Sequence, residues 1–421
     1  MKQLFRCLAA VTVASVAIAL PAHAQTASDF AIKSGDRVVF YGDSITDQRM
    51  YSLMTEQYIV TRFPGLNVRF VHSGWGGDRV SGGGGGPIDL RLDRDVTSYK
   101  PTVVTVMLGM NDASYRPFDA NIFKTYADGY KHLVSKVKAL IKPSPFDDIT
   151  RPVSFPGGYN AVLLRYSDFV GELAASEGAS TADLNGPVVD MLRRAQATDP
   201  SNAAKIIPDR VHPDWGGHLI MAECLLKAWG APALVSDVAI DAASGKATTR
   251  NAKVGGFTKA AGGAIRWNAT EGALPFPLSS VAGNGDDAPY NLAVASSDFV
   301  AALDQEMLKV TNLASGRYRL TIDGRIAGEF TSAQLAQGIN LAVLPTPMLE
   351  QARLVGRLTQ IRGEVHNSRW REFQVPLTGD PQAGQYIPTL IKNLDAADGP
   401  LTKAQRDAAK PRAHAFELKP L

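Results

Sequence analysis

Ser44 stands in the run Gly42-Asp43-Ser44-Ile45-Thr46, directly after the short apolar stretch 37–41. A serine on a tight turn at the carboxyl end of a strand presents its hydroxyl, and its backbone N–H, to whatever occupies the crevice there. The pattern is not G-x-S-x-G, because Thr46 holds the place of the second glycine. Alone, it suits a helix N-cap as well as a nucleophile. A serine nucleophile requires a base, and the base an orienting carboxylate. Asp209-Arg210-Val211-His212-Pro213 places both on one short loop. Of the chain's 7 histidines, His212 alone follows an aspartate by three residues and precedes a proline.

A negatively charged acyl-transfer intermediate also needs fixed donors, each worth roughly 2.7–4 kcal/mol where the donor is a side chain. Gly77, in Gly74-Trp75-Gly76-Gly77-Asp78, can bring a backbone N–H to a substrate without a side chain in the way. Asn111, in Gly109-Met110-Asn111-Asp112, offers a side-chain amide. Each block follows an apolar run, so three consecutive strand ends are expected to converge on one rim. Trp75, Arg79 and Trp215 flank these blocks and are candidate substrate contacts, with ordinary packing the alternative for both tryptophans. The glycine run 82–86 reads equally as a mobile lip or as a spacer.

The four blocks together resemble the SGNH/GDSL hydrolase family, over about residues 35–230. The resemblance implies Ser44 as nucleophile, His212 as general base and then acid, and Asp209 as its orienter. It implies an oxyanion hole from the N–H groups of Ser44 and Gly77 and the Asn111 amide. It further implies ester hydrolysis through an acyl-enzyme, without metal or cofactor, on a three-layer α/β/α flavodoxin-like core with a parallel sheet.

The elements needed to position these residues are legible. Strand-like runs at 37–41, 68–72 and 102–108 alternate with helical patterns at 48–63, 121–135, 159–175, 187–197 and 215–229. The third run is apolar throughout, as in a strand covered on both faces. Alternation of this kind predicts a doubly wound α/β domain over residues 30–236. The family's usual fourth strand is compressed here, because the helix runs to Pro143 without a turn. A short strand at 137–141 is expected, and an unbroken helix through Ile141 would contradict it. Residues 237–421 change texture: strand-like stretches at 264–267, 306–310, 317–322 and 325–330, with a hairpin signal at Asp323-Gly324. A long helix is expected over 348–373, and 395–412 reads as helical or loosely attached. A C-terminal β-rich accessory domain carrying a helical element is expected.

The chain of 421 residues opens with Lys2 and Arg6, an apolar run at 8–20, and Ala22-His23-Ala24. This order predicts a signal peptide over 1–24 and a periplasmic or extracellular location. Thirteen apolar residues are too few to span a bilayer, and no later stretch of 18 is apolar. Lys and Arg number 44 against 41 acids, a net of +3. That balance excludes nucleic acid held by bulk charge. Cys224 is the one cysteine after the leader, so no internal disulfide forms. No zinc, calcium, P-loop or dinucleotide motif is present. The expected activity is cleavage of carboxylic esters, acetyl groups on a glycan or polysaccharide first among them. The alternatives are a lipase- or thioesterase-type acylhydrolase, and a glycan-binding protein without catalysis.

Overall fold

The computed structural model describes residues 30–135, 140–278 and 287–421. The expected signal peptide lies outside the described residues.

The N-terminal part is built on a five-stranded parallel sheet. Its strands are β1 (Arg37–Gly42), β2 (Arg69–Gly74), β3 (Val103–Met107), β4 (Leu140–Ile141) and β5 (Thr181–Ala182), in the order β2-β1-β3-β4-β5. Val38, Val39, Phe40, Val104, Val106 and Met107 are buried, as expected for strands covered on both faces. Connections that reverse direction at β1 place helices on opposite faces. On one face α1 (Ser44–Asp47) and α2 (Met50–Arg62) lie with the later helix Trp215–Ala228. On the other, the helices Ala120–Val134 and Gly158–Glu177 pack together. Tyr126 and Tyr130 of the former donate to the Leu108 and Val106 carbonyls, which ties that helix to β3.

The compressed fourth strand exists. The preceding helix ends at Val134, and β4 pairs in parallel with both β3 (Met107 opposite Ile141) and β5 (Ile141 opposite Ala182). It is two residues long, and 137–139 of the expected stretch lie outside the described residues. The Tyr130 hydroxyl, which donates to the Val106 carbonyl, also lies 3.5 Å from the Ile141 carbonyl.

From Leu234 onward the described residues form two further sheets. One is antiparallel and five-stranded, and the strand at its centre, Ala413–Pro420, comes last in the chain. Its inner residues alternate with outer ones: Ile265, Trp267 and Ala269 face Phe416 and Leu418, and Trp267 stacks on Phe416 at 5.3 Å. The expected hairpin pairs Arg317–Ile322 with Arg325–Thr331 around Asp323-Gly324. The other sheet has four strands and includes one parallel pair, Leu234–Asp241 with Gln305–Thr311.

Between these strands the chain leaves the sheets and returns to the α/β part. The helix α3 (Pro347–Asn367) continues as a π-helical turn, Ser368–Gln374, and α4 (Ile387–Ala409) runs back against it. Both rest on α2 and the β2 edge. Arg362 of α3 donates to Glu56 at 2.6 Å, and Arg406 of α4 donates to the carbonyls of Leu66 and Val68 at 2.6 and 2.7 Å. The segment expected as helical or loosely attached is therefore helix followed by the central strand of a sheet. Among the described residues no helix is long and apolar enough to cross a membrane.

Candidate active site

Ser44 is the first residue of α1, where a one-turn helix begins as β1 ends. Asp43 caps that turn by accepting from the Ile45 N–H at 3.1 Å. A backbone N–H at the start of a helix has no partner within the helix, so that of Ser44 is available to a ligand. The turn is held tightly: a Cβ on Gly74 would sit 2.1 Å from the Asp47 backbone nitrogen, so the end of β2 can approach α1 only as glycine.

The Ser44 Oγ lies 2.8 Å from His212 Nε2, and His212 Nδ1 lies 2.6 Å from Asp209 Oδ2. The other Asp209 oxygen accepts from the backbone N–H groups of Val211 and His212, at 3.0 and 2.7 Å. The carboxylate thus shapes its own loop while orienting the imidazole. Partial burial works to raise the Asp209 carboxyl, but the hydrogen bonds from the His212 backbone and ring outweigh it and hold it below the usual range. An orienter that stays ionised is what a histidine base needs.

Two arginines to which the sequence pattern assigns no role hold this loop. Arg210, at φ 73°, donates to the Asp147 carbonyl at 2.9 Å and to Asp148 Oδ1 at 2.7 Å. Arg151 donates to the carbonyls of Ala204, Ile207 and Pro208. Both tie the catalytic loop to the segment after β4. The signal available was the Arg inside the DxxH spacing, which periodicity does not flag.

Gly77 adopts φ 78°, and nothing lies within 4 Å of where its Cβ would stand, so that side of the residue is open. Asn111 Nδ2 donates to the Asp78 carbonyl at 3.0 Å, which uses one of its two N–H groups and leaves the second. Its Oδ1 accepts from the Tyr115 hydroxyl at 3.1 Å. Tyr115 and its neighbour Ser114 both adopt positive φ, 54° and 59°, a strain that favours a functional explanation. The Tyr115 ring stacks on Tyr159 at 5.0 Å and is 44% exposed at the rim.

Trp75 is enclosed. The Arg371 guanidinium lies over it, Trp370 meets it edge-on at 5.8 Å, and Arg91 and Arg94 stand 5.2 and 5.6 Å from the ring centre. The glycine run forms a small hairpin against the same indole, where a Cβ on Gly85 would be 2.7 Å from the ring. It is a packing surface, neither a free lip nor a spacer. Arg79 is exposed, and Trp215 is half-buried at the start of the helix after His212. His218 is buried against Tyr51 and hydrogen-bonded to Gln48, with burial pushing its ring down to about 3.

Asp112 is buried behind Asn111 and accepts from the Val80 N–H at 2.9 Å. Burial raises it to about 7, and raises Asp43 to about 7 as well, with Asp112 adding to the latter.

A serine, a histidine and an aspartate in hydrogen-bonded sequence, on the carboxyl rim of a five-stranded parallel sheet, define a serine hydrolase of SGNH type. Residues 40–220 match the GDSL-like Lipase/Acylhydrolase family model. The α/β part of the chain is similar to that family, and the protein is a hydrolase of ester bonds. It is 26% identical over 225 residues to an acetylxylan esterase of Geobacillus stearothermophilus, covering 47% of this chain and 96% of that one. A solved structure described as a gut microbial diltiazem-metabolizing enzyme is 27% identical, with a TM-score of 0.80 over 93% of this chain and 98% of that chain. The likeness to that structure thus extends through the β-rich region.

Proposed function

We propose that the protein is an exported esterase that removes acetyl groups from a glycan through an acyl-enzyme on Ser44. The contact chain from Ser44 Oγ through His212 to Asp209, at 2.8 and 2.6 Å, carries the reading. His212 Nε2 takes the hydroxyl proton as Ser44 Oγ attacks the ester carbonyl. The resulting oxyanion is met by the N–H groups of Ser44 and Gly77 and by the free Asn111 N–H. His212 then returns the proton to the leaving alkoxide, and the freed alcohol departs. Water, deprotonated by the same imidazole, attacks the acyl-enzyme and releases the carboxylic acid and Ser44.

The likeness to an acetylxylan esterase supports the acetyl and glycan parts of the proposal. The basic, apolar and A-x-A order of residues 1–24 supports export. Arg79 and Trp215 are the rim groups we assign to contact the sugar. Rates on 4-nitrophenyl acetate, on longer-chain esters and on acetylated xylan, with and without Ser44→Ala, test it. Activity surviving in Ser44→Ala would end the mechanism, and preference for long acyl chains would end the acetyl assignment.

A further inference from the structure

A cleft of about 700 Å³ opens between the N-terminal half of α3 and the antiparallel sheet, well away from Ser44. Four arginines and two carboxylates line it. Both carboxylates are already engaged. Asp323 accepts from His414 Nδ1 at 2.7 Å and from the Ala415 N–H at 2.8 Å, and Glu350 pairs with Arg325 at 2.5 Å. Arg353, Arg357 and Arg412 are exposed and have no hydrogen-bond or ion-pair partner among the described residues.

Three uncompensated guanidinium groups on one concave surface are unusual in a chain whose whole formal charge is only +3. Arg353 and Arg357 sit four residues apart on α3, so they share one face about 6 Å apart along its axis. Arg412 faces them from the chain segment just before the central strand. Guanidinium stays charged at any relevant pH, and its fork matches the two oxygens of a carboxylate. Apart from the His414 imidazole the lining has no aromatic ring, so a neutral sugar would find no stacking platform there. Affinity in this cleft must come from charge.

We propose that the cleft is an anion-binding site for a carboxylate-bearing glycan, and that it holds the polymer while the catalytic site works elsewhere on the same molecule. The choice of a glycan over other polyanions rests on the acetyl-glycan reading above. The helix that carries Arg353 and Arg357 continues to Trp370 beside the catalytic rim, roughly 25 Å further on. One rigid element therefore joins the two sites.

The test is affinity electrophoresis of the full chain in gels containing polygalacturonate, unsubstituted xylan or double-stranded DNA, at low and high salt. Polygalacturonate is expected to retard the protein and xylan is not, with the retardation screened by salt. Arg353→Gln/Arg357→Gln/Arg412→Gln should weaken that binding about tenfold while hydrolysis of 4-nitrophenyl acetate is unchanged. Unaltered retardation of the triple variant, equal retardation by xylan, or tighter retention by DNA would each overturn the proposal. The result is independent of the catalytic reading. Ser44→Ala should still bind polygalacturonate, and an active Ser44→Ala would sink the esterase mechanism without touching the cleft.

Discussion

Arg371 lays its guanidinium over the Trp75 indole, 3.1 Å from the ring centre, and reaches to 3.9 Å from Asp47. Asp47 in turn accepts the Gly76 N–H at 3.0 Å, one residue from the proposed oxyanion donor Gly77. A residue of the C-terminal region thus presses on the loop that shapes the catalytic rim. Trp370 beside it is buried and donates to Asp95 at 2.6 Å. The β-rich region, through its helical excursion, is part of the scaffold of the site.

Trp370→Phe keeps the ring against Trp75 but leaves a buried Asp95 oxygen without that donor. A loss of about 1–3 kcal/mol in unfolding free energy is expected. Urea titrations followed by circular dichroism measure it, and a wild-type midpoint in the variant would show that the excursion adds no stability there.

Asp209→Asn should keep the loop hydrogen bonds of Val211 and His212 yet lose the charge that favours the imidazolium. A fall in kcat of about 10²–10⁴ is expected, with KM little changed. Steady-state kinetics on 4-nitrophenyl acetate decide it. A change of less than tenfold would mean that Asp209 only braces the loop.

Tyr115→Phe removes the donor that fixes the Asn111 amide while leaving the ring stacked on Tyr159. With Asn111 as the proposed oxyanion donor, kcat should fall several-fold at constant KM. A rise in KM alone would instead make Tyr115 a substrate contact.

Asp112 and Asp43, both raised to about 7, set a pH dependence of stability. The folded protein holds these protons more tightly than the unfolded chain, whose carboxyls titrate near 3.8. The stabilisation they give is complete below that value and is lost as pH rises through 7. Melting temperature should therefore decline between about pH 4 and 7 and level off above that, and Asp112→Asn should flatten the decline. Parallel curves for the two proteins would remove Asp112 as a contributor.

The sequence by itself determined the candidate catalytic set and the α/β core. Ser44, Gly77, Asn111 and the Asp209–His212 pair each sit in a turn directly after a strand or before a helix, and such turns are written in local residue types. The short fourth strand was legible for the same reason: the helix before it ran out of room. Tertiary structure alone decided the rest. The pairing of Ser44 with His212, the clamp of Arg210 and Arg151 on the catalytic loop, and the enclosure of Trp75 by Arg371 join residues far apart in the chain. No periodicity records such contacts, because they depend on how separate elements pack. Residues 395–412 show this most clearly. Their charged, alanine-rich composition suits a loose helix, yet Arg406 ties α4 to the Leu66 and Val68 carbonyls between α2 and β2, and the strand that follows completes the centre of a sheet. What fixes that segment is the surface it covers, and that surface belongs to the catalytic part of the molecule.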